Sequence, residues 1–418
     1  MKGKPQELQL LLCCARRSNA GDQVTQIHWD QLDWTAFFAL ANRHGMLPYA
    51  FAYLREFFPQ KLVGASGDLI RLWYHRHVQR NQFLARELLH IFELFARNGI
   101  PALAIKGPCL AVEAHGDLAL RQFDDLDLLV NPGDFTRVKN LLLQRGYRRT
   151  IGLAGKRETA HLRWQHEEKF FRDQGLAIDL HWRLTRDGSF VPHFPPRWIP
   201  LLGRSIPTLD RRELVLFLCL HGAKHSWDRL LWIHDLARLM GKPSFPNEDR
   251  FLAEARNRNL KRVLLLGLFL AHHLFMAPLS AGLFREIRAD PMIESLAEEV
   301  CRRLFQGSPT ASALARKSFF LRTQRGFQAR ARYLIQQCKP SSRDLALMEL
   351  PRPLFPAYYL LRLLRLSTRD GLPMNWFSHR AKQSNSRKAG AAFSYTGITA
   401  QNQPRLPAFP ARSKTSSQ

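Results

Sequence analysis

Gln122-Phe123-Asp124-Asp125-Leu126-Asp127-Leu128-Leu129-Val130 is the stretch on which the reading of this chain turns. Its apolar run and its length predict a β-strand. Successive strand side chains point to opposite faces, so Asp125 and Asp127 share one face while Leu126, Leu128 and Val130 take the other. Two carboxylates one pleat apart suit a hard divalent cation, which prefers oxygen ligands and can in turn hold a triphosphate. A surface strand carrying two solvated acids is the plainer alternative. Asp124 falls on the opposite side and reads as a loop or capping residue.

The flanking sequence favours the first alternative. Upstream, Ile100 to Gly107 reads as a short apolar strand ending in Lys106-Gly107, and Pro108 suits the first turn of a helix. A strand, a glycine turn and a helix N-terminus together make a phosphate site, because backbone N–H groups and the helix dipole both attract an anion. Downstream, Asp134 reads as an N-cap, Phe135, Val138, Leu141 and Leu142 recur at helical spacing, and Gly146 ends that helix. Gly175-Leu176-Ala177-Ile178-Asp179-Leu180-His181-Trp182 gives another strand, with Asp179 and His181 on one face. Phe170-Phe171 marks one more.

This ordered set resembles the nucleotidyltransferase superfamily with the DNA polymerase β-like fold, and more narrowly its bacterial group of uncharacterised nucleotidyltransferases. The residues carrying the resemblance are Lys106-Gly107, Arg121, Asp125 to Val130, Gly146-Tyr147 and Ile178 to Trp182, with His44 to Pro48, His221 to Trp227 and Trp232 to Asp235 in flanking helices. The chain departs from the superfamily in one place. Its turn is Lys106-Gly107-Pro108 rather than Gly-Gly or Gly-Ser, and a longer insert separates that turn from Asp125. The resemblance implies that Asp125, Asp127 and Asp179 are catalytic and hold two Mg²⁺ ions, and that Lys106, Gly107, Arg121 and Lys224 bind the nucleotide. It implies transfer of an NMP from an NTP to an acceptor hydroxyl, with release of pyrophosphate. The alternative is a catalytically inactive nucleotide- or polyanion-binding protein on the same fold.

Individual residues leave choices open. Arg121 suits either the triphosphate or an ion pair that holds the loop. His181 suits either orientation of Asp179 or a buried structural role. His221 and His225 lie four apart on one helix face, but no glutamate follows the first and no third zinc ligand is evident.

The fold class expected is α+β: a polymerase β-like core of a small mixed sheet with helices, flanked by N- and C-terminal helical regions. The expected divisions are 1–85, a helical region; 86–185, the nucleotidyltransferase core; 186–366, a helical domain; and 367–418, a basic disordered tail. Across the first boundary, Leu84, Leu88, Ile91, Phe92 and Phe95 form a helical stripe stopped at Gly99. The prolines between Pro192 and Pro207 read as a linker.

With 418 residues, 62 Lys and Arg against 35 Asp and Glu give a formal charge of +27. Such a field attracts polyanions, nucleic acid included, although an arginine-rich composition alone would produce it. Seven of those cations and no acid fall between Ser378 and Gln418. The six cysteines form no Cys-x-x-Cys and fit reduced thiols in a cytoplasmic protein. The first residues do not read as a signal peptide, because Leu8 to Cys14 is too short an apolar run. The apolar stretch Val263 to Phe284 is interrupted by His272, His273 and Pro278, which favours a buried helix over a membrane span.

Overall fold

The alternation around Asp127 builds an interior strand of a five-stranded sheet. The computed structural model describes residues 5–16, 26–242, 245, 248–305 and 312–367. Four helices come first: α1 (Gln6–Arg16), α2 (Trp34–Arg43), α3 (Leu47–Phe57) and the long α4 (Gly64–Arg97). Next are β1 (Ala102–Ala104), α5 (Gly107–Leu110), β2 (Leu126–Val130), α6 (Phe135–Gln144), β3 (Arg148–Arg149), α7 (Gly155–Trp164), β4 (Glu167–Arg172) and β5 (Leu176–His181). A hairpin of β6 (Arg197–Leu201) and β7 (Arg204–Thr208) leads to α8 (Arg211–Lys224), α9 (Leu230–Met240), α10 (Glu248–Asn257) and α11 (Lys261–Phe275). The described chain ends with α12 (Ala281–Arg288), α13 (Pro291–Phe305), α14 (Ala313–Thr323), α15 (Phe327–Cys338), α16 (Ser342–Leu347) and α17 (Ala357–Ser367). The expected tail, apart from Ser367, lies outside the described residues.

The sheet order is β1-β2-β5-β4-β3, with β2 and β5 parallel and the other pairs antiparallel. Leu126, Leu128 and Val130 join Ile178, Leu180 and the α4 stripe of Leu84, Leu88, Ile91 and Phe95 in one buried cluster. The α+β expectation holds: a small mixed sheet sits on α4, with helices before and after it. Gly99, at φ +63°, lets the chain leave α4 for β1 in a backbone conformation that an L side chain resists. Gly146 does the same after α6 at φ +85°. Asp134 stands at the start of α6 but does not cap it with its side chain, which pairs with Arg137 at 3.1 Å instead.

The helices before and after the sheet share a second core. Leu8, Leu11 and Phe37 are buried with Leu214, Leu236, Leu264 and Leu268. The Arg16 guanidinium donates to the Leu274 carbonyl at 2.9 and 2.8 Å, tying α1 to α11. That helix is 15 residues long and buried, as expected of Val263 onward, and no described helix is long and apolar enough to cross a membrane. All six cysteines are free.

The Pro192–Pro207 stretch is not a plain linker. Its second half is the β6–β7 hairpin, whose Ile199, Leu201 and Ile206 are buried, and the Thr208 hydroxyl donates to Ala104 O at 2.5 Å. Proline misled the sequence reading because a two-stranded hairpin leaves half of its N–H groups unpaired, and a strand with free N–H positions tolerates proline.

The run His221 to Trp227 has a packing explanation. Trp227 is fully buried, and a Cβ placed on Gly222 would stand 2.4 Å from its ring. Ser226 and Trp227, both at φ +56°, turn the chain back so that the indole covers that glycine. Gly222→Ala is therefore expected to destabilise the protein by about 2 kcal/mol through overpacking, read as a lowered denaturation midpoint.

Candidate active site

The parallel register of β2 and β5 sets Asp127 directly across from Asp179, and the antiparallel register of β4 sets Lys169 across from Asp179. Asp125 sits in the bend just before β2. The Ile105 N–H donates to Asp127 O at 3.0 Å, which carries the β1 ladder one residue further and delivers Lys106 to the acids. Lys106 Nζ lies 2.8 Å from Asp127 Oδ1. Gly107 then turns at φ +57°, and a Cβ there would stand 3.2 Å from the Asp125 carbonyl oxygen. The long insert thus folds away, and the glycine turn rests against the acidic loop.

Lys169 lies between the other two acids, 3.5 Å from Asp125 Oδ2 and 3.1 Å from Asp179 Oδ1. His181 Nε2 is 3.5 Å from Asp127 Oδ1, and its Nδ1 is 3.3 Å from Glu167 Oε2. His181 therefore attends Asp127 across the strand pair rather than Asp179 on its own strand.

Charge is unevenly settled here. Burial works to raise Asp127, but Lys106 and then His181 outweigh it and hold the carboxyl well below the usual carboxylate range. Burial, followed by the charge of Asp125, pushes Asp179 up to about 7. Burial and Asp127 also raise Asp125. Burial opposes the charge on Lys169 and Lys106, yet the carboxylates raise both. Three acids facing two lysines leave one negative charge without a lysine of its own, and burial resists that charge most at Asp179.

That surplus, on oxygen donors from adjoining strands, suits a hard divalent cation. The donors are not gathered into a closed cage. Among the described residues no group of three or more His, Cys, Asp or Glu side chains stands ready to hold a metal; Lys106 is paired with Asp127, and Lys169 lies between Asp125 and Asp179.

Other expected site residues fall differently. Arg121 does not join the cluster. Its Nε and Nη2 donate to Asp235 of α9, each at 3.0 Å, and His115 Nε2 lies 2.7 Å from the same carboxylate. The sequence offered both roles for Arg121, and the ion pair is the one found. Lys224, at the end of α8, is half-buried, and burial lowers its pKa against the opposing pull of Glu167. His221 and His225 stack 4.7 Å apart, and both rest on Trp232. Burial, then the nearby Lys106, keeps both neutral, His225 at about 4. The sequence reading missed Lys169 and Glu167. The signal was there, since Glu167 and Lys169 alternate with the buried Glu168 and Phe170, but the Phe170-Phe171 pair drew attention instead.

The chain matches the family described as "Uncharacterised nucleotidyltransferase" over residues 30–276, more than half its length. It belongs to that family. The matched region runs from just before α2 to the end of α11, so it takes in the sheet, the acids and most of the shared helical core. This nucleotidyltransferase is also similar to one solved structure, the lincosamide antibiotic adenylyltransferase LnuA with lincomycin bound. The identity is 16%, over 37% of this chain and 96% of that one, with a TM-score of 0.28. No curated protein sequence matches the chain.

The Arg121–Asp235–His115 cluster ties the acidic loop's approach to α9. Burial works to raise Asp235, but Arg121 and His115 bring it down to about 2. A depressed carboxyl stabilises the fold above its unfolded pKa near 4, and that contribution is lost as pH falls toward 2. Asp235→Asn strands a buried guanidinium and is expected to cost about 3 kcal/mol at pH 7. Urea denaturation across pH should show the gap between wild type and variant narrowing below about pH 4.

Proposed function

We propose that this nucleotidyltransferase moves a nucleoside monophosphate from an NTP to an acceptor hydroxyl, depends on Mg²⁺ and releases pyrophosphate. The observation that carries the reading is the register that sets Asp127 opposite Asp179, with Asp125 and the Lys106-Gly107 turn alongside.

Asp125, Asp127 and Asp179 would hold the divalent cations, two in number. When bound, these supply neutralising charge on the phosphate oxygens and lower the pKa of the acceptor hydroxyl. The protein's own groups do the rest. Gly107, with no Cβ, lets the turn pack closely on the acidic loop, and Lys106 offers an ammonium for a phosphate beside it. Lys224 reaches the same space from α8. Arg121, held by Asp235, is left out of the proposed nucleotide contacts. The acceptor oxygen forms its bond to the α-phosphorus as the bond from that phosphorus to the bridging oxygen breaks. Pyrophosphate departs with the electron pair, and Asp179 takes the acceptor's proton. For Asp125 and Asp179 to hold a cation, Lys169 would have to give up its bridge between them.

That bridge favours a second reading. Lysines already neutralise much of the cluster, so the protein would bind nucleotide without metal and without transfer.

One experiment separates the two. Radiolabelled NTPs are incubated with the full chain and mixed acceptors, with Mg²⁺ or with EDTA. The first reading expects Mg²⁺-dependent transfer that falls on the order of a hundredfold or more in the variant carrying Asp125→Asn and Asp127→Asn. Undiminished transfer by that variant refutes the metal assignment. NTP binding that is equal in EDTA, with no transfer in Mg²⁺, establishes the second reading.

A further inference from the structure

Resting on the nucleotidyl-transfer reading, we propose that the acceptor enters a polar cavity on the β4 side of Asp179. We assign it to small, hydroxyl-rich molecules of about monosaccharide size, not to the end of a polynucleotide.

The sheet order supplies the direction. An in-line displacement places the attacking oxygen opposite the leaving group. Across the sheet, the phosphate turn at Lys106-Gly107 follows β1, Asp125 and Asp127 belong to β2, and Asp179 lies on β5. A triphosphate held at the β1 edge sends its pyrophosphate that way, so the acceptor arrives from β4 and β3. A cavity of about 280 Å³ opens there, lined by Thr150, Gln165, His166, Glu167, Lys169 and Asp179 among others. Asp179 is thus both a member of the acid cluster and a wall of the cavity.

Its chemistry sets the class. Each of those six side chains carries a hydrogen-bonding group. Glu168, also in the wall, is already engaged by Arg149 at 2.6 and 2.8 Å, whereas the Glu167 side chain is 46% exposed and has only imidazoles beside its Oε2, His181 at 3.3 Å and His166 at 3.6 Å, so it can still meet an incoming hydroxyl or amine. Pockets for drug-sized ligands run roughly 300–1,000 Å³, so this one suits something smaller. A polymer end also needs an open groove, and here the C-terminal helices close one side. Gln165 Nε2 donates to Pro340 O at 2.7 Å, Arg186 Nη2 donates to the Lys339 and Pro340 carbonyls at 2.9 and 2.8 Å, and Ser342 of α16 lines the wall. A larger cavity of about 820 Å³, between the β6–β7 hairpin and α4, is walled mostly by apolar side chains, and none of the three acids lines it.

The test uses the full chain with Mg²⁺ and each α-labelled NTP. The acceptors are a panel of monosaccharides, amino sugars and cyclitols in one arm and an oligoribonucleotide with a free 3′-hydroxyl in the other. Label is expected on a small acceptor. Thr150→Trp, or Ser342→Phe from the opposite wall should the first fail to fold, is expected to raise that acceptor's KM at least tenfold while leaving the NTP Kd from calorimetry unchanged. Transfer to the oligonucleotide alone overturns the proposal. So does an acceptor KM unmoved by a folded, cavity-filling variant, or the absence of any transfer to the panel while NTP binding still depends on Asp127. Loss of that Asp127-dependent NTP binding instead brings down the nucleotidyl-transfer reading itself.

Discussion

The site depends on one parallel pairing, β2 against β5. Because side chains alternate along a strand, a shift of one residue would send every side chain of β2 to the other face. Asp127 would enter the apolar layer with Ile178 and the α4 stripe, and Leu128 would face Lys106. The register is held from both sides. Leu126, Leu128 and Val130 are committed to the core beneath, and Lys106 and His181 are committed to Asp127 above. Burying the carboxylates is costly, and the apolar face bears that cost by making any other register worse.

The second constraint lies outside the sheet. The helices on either side share one core, so the chain before β1 and the chain after β7 stabilise each other. Asp235 of α9 receives Arg121 and His115, which flank the turn leading into the acidic loop. Through that cluster the helical region fixes where Asp125 begins its strand. Charges so deeply buried must be paired, and the pairing specifies a geometry that apolar contacts alone would leave looser.

The sequence makes the strand legible because its signals are local. The alternation in Asp125 to Val130, the apolar stripe from Leu84 to Phe95 and the glycines at 99, 107 and 146 each follow from the chain's own covalent geometry. What it hides is pairing across distance. Nothing near Arg121 shows that its partner lies 114 residues on, so the sequence favours an ion pair over the triphosphate only slightly and points to nearby Asp124 or a metal ligand, not to Asp235. The Pro192–Pro207 stretch failed for another reason: proline reports a missing N–H, not the absence of a strand. Lys169 was legible in principle, but a lysine on a short strand carries no sign of what it faces until the register of β4 on β5 is known.

Lys169 also makes sense of the charge balance. Without a cation between them, Asp125 and Asp179 would repel across adjoining strands and strain the pairing that positions them. An ammonium at 3.5 and 3.1 Å supplies the countercharge from the protein itself, on a flexible stem that can withdraw. The rigid strands thus keep the acids in place while the mobile lysine yields. Asp179, whose charge burial and Asp125 both oppose and which faces a polar cavity, is the acid whose state responds most to what enters. A fixed arginine at position 169 would neutralise the pair as well, but its planar, five-donor head would bind both carboxylates too firmly to release them.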